Sequence, residues 1–151
     1  MYRYCWLALR SGLFYLGLLL IVVISGLTSC FIWFLPFKKR QKLGTTSNYL
    51  ILTWLRLACG INVRITGLEN LPSGPCVILS NHQSAWESFY IQWLAQPASF
   101  VLKRELLWLP FFGWSVAAMR PIAIKRSKPT AAMRQVLKTV PYTNLNLPTI
   151  Y

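Results

Sequence analysis

The sequence predicts an α/β protein: an N-terminal transmembrane helix followed by a partial α/β domain. Three observations carry that expectation. Residues 11 to 37 form a run of 27 without a charge, beyond Gly60 short apolar stretches alternate with helical ones, and the polar chemistry gathers where one such stretch gives way to a helix. The 151-residue chain is 55% hydrophobic, with a mean hydropathy of +0.44. That composition excludes intrinsic disorder, because ample apolar surface is available to bury.

The uncharged run is centred on Leu16 to Ile24. A bilayer core needs about 20 residues of helix, so the run spans it with turns to spare, and Tyr15 and Trp33 suit the interfacial belts. Lys38, Lys39, Arg40 and Lys42 follow at once, against Arg3 and Arg10 in front. Four cations against two place the C-terminal side in the cytoplasm. A cleaved signal peptide would have an apolar region of only about 7–15 residues. Leu27-Thr-Ser-Cys30 resembles a lipoprotein processing site, but Phe31 to Leu35 continue the apolar run where a polar tether should begin. An uncleaved anchor is therefore expected.

Residues 45 to 59 read as an apolar helix stopped by Gly60, a C-cap residue. Ile61 to Thr66 alternates with period two, the pattern of a half-buried strand, and Cys76 to Ser80 has the pattern of a buried one. Ser84 to Ala95 predicts a helix, Ser99 to Leu102 and Pro121 to Ile124 two more strands, and Pro129 to Lys138 another helix. Strands alternating with helices predict an α/β layer. The expected organisation is an anchor with a basic flank over 1–42, an amphipathic or apolar linker helix over 43–60, a partial α/β domain over 61–140 and an irregular tail over 141–151.

The side chains available for chemistry are few. There is one histidine, His82, no aspartate, and three glutamates, Glu69, Glu87 and Glu105. The four cysteines, Cys5, Cys30, Cys59 and Cys76, lack Cys-x-x-Cys spacing, and one histidine cannot complete a zinc site with scattered thiols. No metal is expected, and the cysteines read as buried free thiols. The net charge of +13 suits anionic lipid surfaces and anionic substrates. Nucleic acid would suit it too, but no recognised binding motif is present, and a nucleic-acid partner is not expected.

The segment Ser80-Asn-His-Gln-Ser-Ala-Trp-Glu87 stands where a strand is expected to end and a helix to begin, a common location for ligand chemistry in α/β sheets. His82 is the one side chain whose ordinary pKa suits base chemistry near neutrality. Five residues on an ideal helix is a rotation of about 140°, so His82 and Glu87 would not share a face. They meet if Ser84 and Glu87 form a capping box, which puts His82 two residues ahead of the cap. Glu87 could then hold one imidazole nitrogen and leave the other free as a base, the orienting logic of a catalytic triad without its serine. The alternative from spacing alone is that Glu87 only caps the helix and His82 is structural.

Asn-His-Gln-Ser-Ala-Trp-Glu resembles the first motif of the glycerolipid acyltransferase family, typified by the bacterial 1-acyl-sn-glycerol-3-phosphate acyltransferases: Asn-His, four residues, then Asp. Lys103-Arg-Glu-Leu-Leu-Trp-Leu-Pro-Phe-Phe-Gly-Trp114 resembles the Lys-x-Glu-Leu stretch that follows it, and Arg120-Pro-Ile-Ala-Ile-Lys-Arg126 the second motif. The resemblance implies a partial glycerolipid-acyltransferase-like α/β domain and transfer of a fatty acyl group to the free hydroxyl of lysophosphatidic acid. The donor would be a thioester on acyl-CoA or acyl carrier protein, with no bound cofactor. It implies catalytic roles for His82 and Glu87, and substrate binding by Arg126, Lys103, Asn81 and Ser84. A bacterial inner membrane is implied, with the catalytic domain facing the cytoplasm and membrane lipid as a partner.

Two departures stand out. Glu87 replaces the usual Asp, adding one methylene. The Phe-Pro-Glu-Gly-Thr-Arg motif that should follow the helix near Lys138 is absent, so the tail after Val140 reads as a premature or frameshifted end. The alternatives to an active acyltransferase are an inactive truncated remnant of one, and a non-enzymatic basic membrane protein that binds anionic lipid.

Overall fold

The computed structural model describes residues 2–72, 74, 76–125, 127, 130, 134 and 136. Helix α1 (Tyr2–Ile32) turns at Pro36 into helix α2 (Phe37–Cys59). After an irregular stretch come helix α3 (Ala85–Leu94), strand β1 (Val101–Lys103), a 3₁₀ turn over Arg104–Trp108, helix α4 (Phe112–Ala118) and strand β2 (Ile122–Ile124). The strands pair in parallel, with Val101, Leu102 and Lys103 opposite Ile122, Ala123 and Ile124. Leu102, Val116 and Met119 form the core beneath them, packed on by Phe100, Leu107, Phe112 and Ala123.

α1 is one helix long and apolar enough to cross a membrane. At 31 residues it is about 46 Å long. Gly26 and Ser29 are its buried residues, while Leu13, Leu16, Leu20, Ile24 and Phe31 are exposed. The remaining face is spent on the protein. Gly17 lies under the Trp54 indole, Ser25 Oγ and Ser47 Oγ share a hydrogen bond at 2.7 Å, and Gly26 meets the backbone of Phe111. Small residues at helical spacing let backbones approach this closely.

Phe111 occupies a strained γ-turn (φ 63°), closed by its neighbour Phe112 N–H donating to the Pro110 carbonyl at 2.7 Å. A Cβ at Gly26 would collide with that turn, whereas one at Gly12 meets nothing. Gly26→Val is therefore expected to destabilise the chain by about 1–3 kcal/mol, read as a lowered thermal midpoint in detergent. Gly12→Val should leave it unchanged, and equal midpoints for the two variants would contradict the packing.

The helix expected over 45–59 begins earlier, because nothing between Pro36 and Gly60 breaks it. Lys38 to Lys42 thus lie in its first turns. Gly60 ends it at φ 71°, in the left-handed region, its N–H donating to the Arg56 carbonyl. The two helices cap one another. Arg10 on α1 donates through Nε to the Ala58 carbonyl (2.6 Å), and Arg40 on α2 through Nη1 to the Trp33 carbonyl (3.3 Å). Each guanidinium thereby meets the partially negative C-terminal end of the partner helix.

Two expectations need correction. Residues 61–66 and 76–80 are not strands. Period two and apolar content mark a segment able to join a sheet, but a strand exists only beside a hydrogen-bonding partner. Among the described residues neither segment has one, and Val77 and Leu79 are 71% and 93% exposed. The described part is accordingly mostly helical, with a two-stranded sheet. The cysteines are free but not buried: Cys5 and Cys30 lie exposed on the apolar α1, and Cys59 and Cys76 are half-buried. Of the helix expected over 129–138 only scattered positions are described, and the tail over 141–151 lies outside the described residues.

Candidate active site

α3 begins where its sequence says it should. Ser84, extended at φ −151° and ψ 160°, is the N-cap, and Ser84 and Glu87 form the reciprocal capping box. That box turns the Glu87 carboxylate back over the chain entering the helix. One oxygen, Oε2, accepts from Gln83 N–H at 2.9 Å and Ser84 N–H at 3.0 Å, and lies 3.1 Å from His82 Nδ1. The cap thus sets the position of the acid, and the acid sets the position of the ring.

The two backbone donors, Ser84 first, and the His82 contact hold the Glu87 carboxyl below its ordinary value of 4.5, against the opposing effect of desolvation. A depressed carboxyl contributes its stabilisation above the ordinary carboxylate range and loses it only as pH falls through the lower folded value. Near neutrality Glu87 is an anion, and an anion can only accept. Nδ1 must therefore carry the proton it shares with Oε2, which leaves the Nε2 lone pair of the neutral ring as a base. The ring side chain is 62% exposed and the carboxylate side chain 17%, so the two groups stand in different surroundings.

His82 lines a cavity of about 380 Å³, within the size range of small-molecule sites. Its walls are largely apolar and come from every packed helix: Val22 of α1, Ile51 of α2, Phe89 of α3 and Val116 of α4 among them. A few polar side chains break the apolar lining. Ser25 and Ser47 share a hydrogen bond, and Asn48 Nδ2 donates to Gln92 Oε1 at 3.1 Å.

Of the other residues singled out from sequence, Ser84 is the cap and Asn81 is exposed in the chain leading to it. Lys103 ends β1 opposite Ile124, which places it with Lys125 at the carboxyl edge of the sheet, where ligands of open α/β sheets bind. Arg126 lies outside the described residues. Sequence reasoning missed the contribution of α1 to the cavity wall. Its signal was present: Ser25 and Ser29, four residues apart, and Gly26, three before Ser29, are small residues on one side of an apolar helix, a mark of a helix packed on protein rather than wholly on lipid.

The family model described as Acyltransferase matches residues 62–147. The chain belongs to the acyltransferase family. It is 47% identical over 133 residues to a 1-acyl-sn-glycerol-3-phosphate acyltransferase of Pseudomonas aeruginosa, a match covering 87% of this chain and 52% of the relative. It is 30% identical over 112 residues to a protein of the same name from Limnanthes douglasii, covering 72% of this chain and 40% of the relative. One from Saccharomyces cerevisiae is 33% identical over 75 residues, covering 49% and 25% respectively. The chain spans about half the length of the Pseudomonas relative and less of the others. No solved structure matches it.

Proposed function

We propose that the chain transfers a fatty acyl group to the free hydroxyl of lysophosphatidic acid, the reaction named in its relatives, with His82 as general base. The observation that carries this reading is the His82–Glu87 contact at the wall of an apolar cavity. His82 Nε2 takes the hydroxyl proton as the oxygen attacks the carbonyl carbon of a thioester. The new C–O bond forms, the C–S bond breaks, and the departing thiolate recovers the proton from the imidazolium. Glu87 keeps the ring in the tautomer that can do this and stabilises the cation formed in between. The largely apolar cavity takes the acyl chain, whose burial there is favourable at about 0.8 kcal/mol per methylene.

Lys103 and Arg126 hold the acceptor phosphate, and Asn81 and Ser84 border the reacting groups. The donor is acyl-CoA or acyl carrier protein, and catalysis rests on position and charge rather than a bound cofactor. α1 attaches the chain to a bacterial inner membrane with the site on the cytoplasmic side, where such thioesters are made. The test is direct: the purified chain is incubated with lysophosphatidate and radiolabelled acyl-CoA or acyl carrier protein. Labelled phosphatidate is the expected product, and its absence with both donors would refute the reading.

A further inference from the structure

The turn joining α1 to α2 gathers positive charge without a described counter-charge. Lys38, Lys39, Arg40 and Lys42 all fall in the first six residues of α2, whose N-terminus has no side-chain cap and no acidic residue. The positive end of a helix favours anions and disfavours cations; the Trp33 carbonyl accepts from Arg40 Nη1, and no carboxylate among the described residues joins the cluster. Arg40 is the sharpest case. It is 4% exposed, its Nε has no hydrogen-bond partner among the described residues, and its guanidinium lies 5.6 Å from the Trp33 ring centroid.

Arg120 comes to the same turn from the other side of the fold. It follows α4 in the left-handed conformation (φ 52°), and its guanidinium lies 5.7 Å from the Phe37 ring centroid. Phe37 and Arg40 are three residues apart on α2, neighbours on one face. Two guanidinium groups therefore flank the Trp33–Phe37 turn, and among the described residues neither has a carboxylate partner. Burial, and secondarily the nearby Arg120 charge, hold the Arg40 pKa below its usual value. The turn also ends the long apolar helix, and Trp33 and Phe34 are 53% and 90% exposed there, the position of aromatic side chains at a headgroup layer.

We infer that this turn binds the phosphodiester of an anionic phospholipid, with Arg120 supplying the exposed bidentate fork and Arg40 a fixed charge behind it. An arginine fork matches the geometry of phosphate oxygens, and uncapped helix N–H groups complete an anion site. The adjoining apolar helix and aromatic pair point to phosphate borne on a lipid rather than in solution. None of Trp33, Phe37, Arg40 and Arg120 lines the cavity that His82 lines, and the inference does not depend on the acyl-transfer reading.

The full chain in neutral detergent is offered equal amounts of phosphatidylglycerol and phosphatidylcholine with the same acyl chains, and retained lipid is counted by native mass spectrometry. Phosphatidylglycerol should be retained about tenfold over phosphatidylcholine, equally in the parent chain and in His82→Ala. Arg120→Asn should bring the ratio near one; asparagine tolerates a positive φ, so the turn itself is spared. Lys38→Gln with Lys39→Gln should keep most of the preference. A preference that survives Arg120→Asn, or that the lysine pair abolishes as fully as Arg120→Asn does, overturns the site. Displacement of the lipid by millimolar inorganic phosphate overturns its assignment to lipid.

Discussion

Replacing His82 with alanine is expected to lower phosphatidate formation by about a thousandfold, within the range of a lost general base. The expectation is large because the chain holds no substitute. His82 is its one histidine, and of its three glutamates only Glu87 reaches the ring. The loss should fall on kcat, since proton abstraction belongs to the transition state, while KM for lysophosphatidate should change little. The check is a steady-state assay with labelled thioester. A His82→Ala chain that retains a tenth of the parent rate would remove the imidazole from the mechanism.

Glu87→Gln is the second large effect, and it separates two duties of one side chain. The glutamine carbonyl oxygen can still accept from Gln83 and Ser84 N–H, so α3 should keep its start and its helix content. What is lost is the negative charge that fixes the imidazole tautomer and steadies the imidazolium. A loss of about a hundredfold or more in kcat is expected, with circular dichroism unchanged. Glu87→Ala removes cap and charge together and should lower both rate and thermal midpoint. If Glu87→Gln kept the parent rate, Glu87 would be a helix cap and nothing more.

What was legible in the sequence was local. The capping box needs only Ser84 and Glu87, three residues apart, and once it forms the position of His82 two residues earlier follows from chain geometry. β1 and β2 were legible as short apolar runs. The strands expected at 61–66 and 76–80 were not secured in the same way, because alternation records a capacity to pair and contains nothing about where a partner lies. The reciprocal arginine caps are likewise non-local: Arg10 meets Ala58, 48 residues away, and no spacing rule connects them. The same holds for the cavity. Read alone, α1 is a membrane helix. Only the fold shows Val22 and Ser25 lining the cavity beside His82.

Because His82 is the lone histidine, ¹⁵N-histidine labelling yields a spectrum of one imidazole, and its tautomer can be read without assignment. The neutral ring should carry its proton on Nδ1, facing Glu87 Oε2, and Glu87→Gln should shift the population toward the Nε2–H form that free histidine prefers. A parent chain whose ring carries its proton on Nε2 would contradict the account, because that nitrogen could not then accept a proton from a lipid hydroxyl.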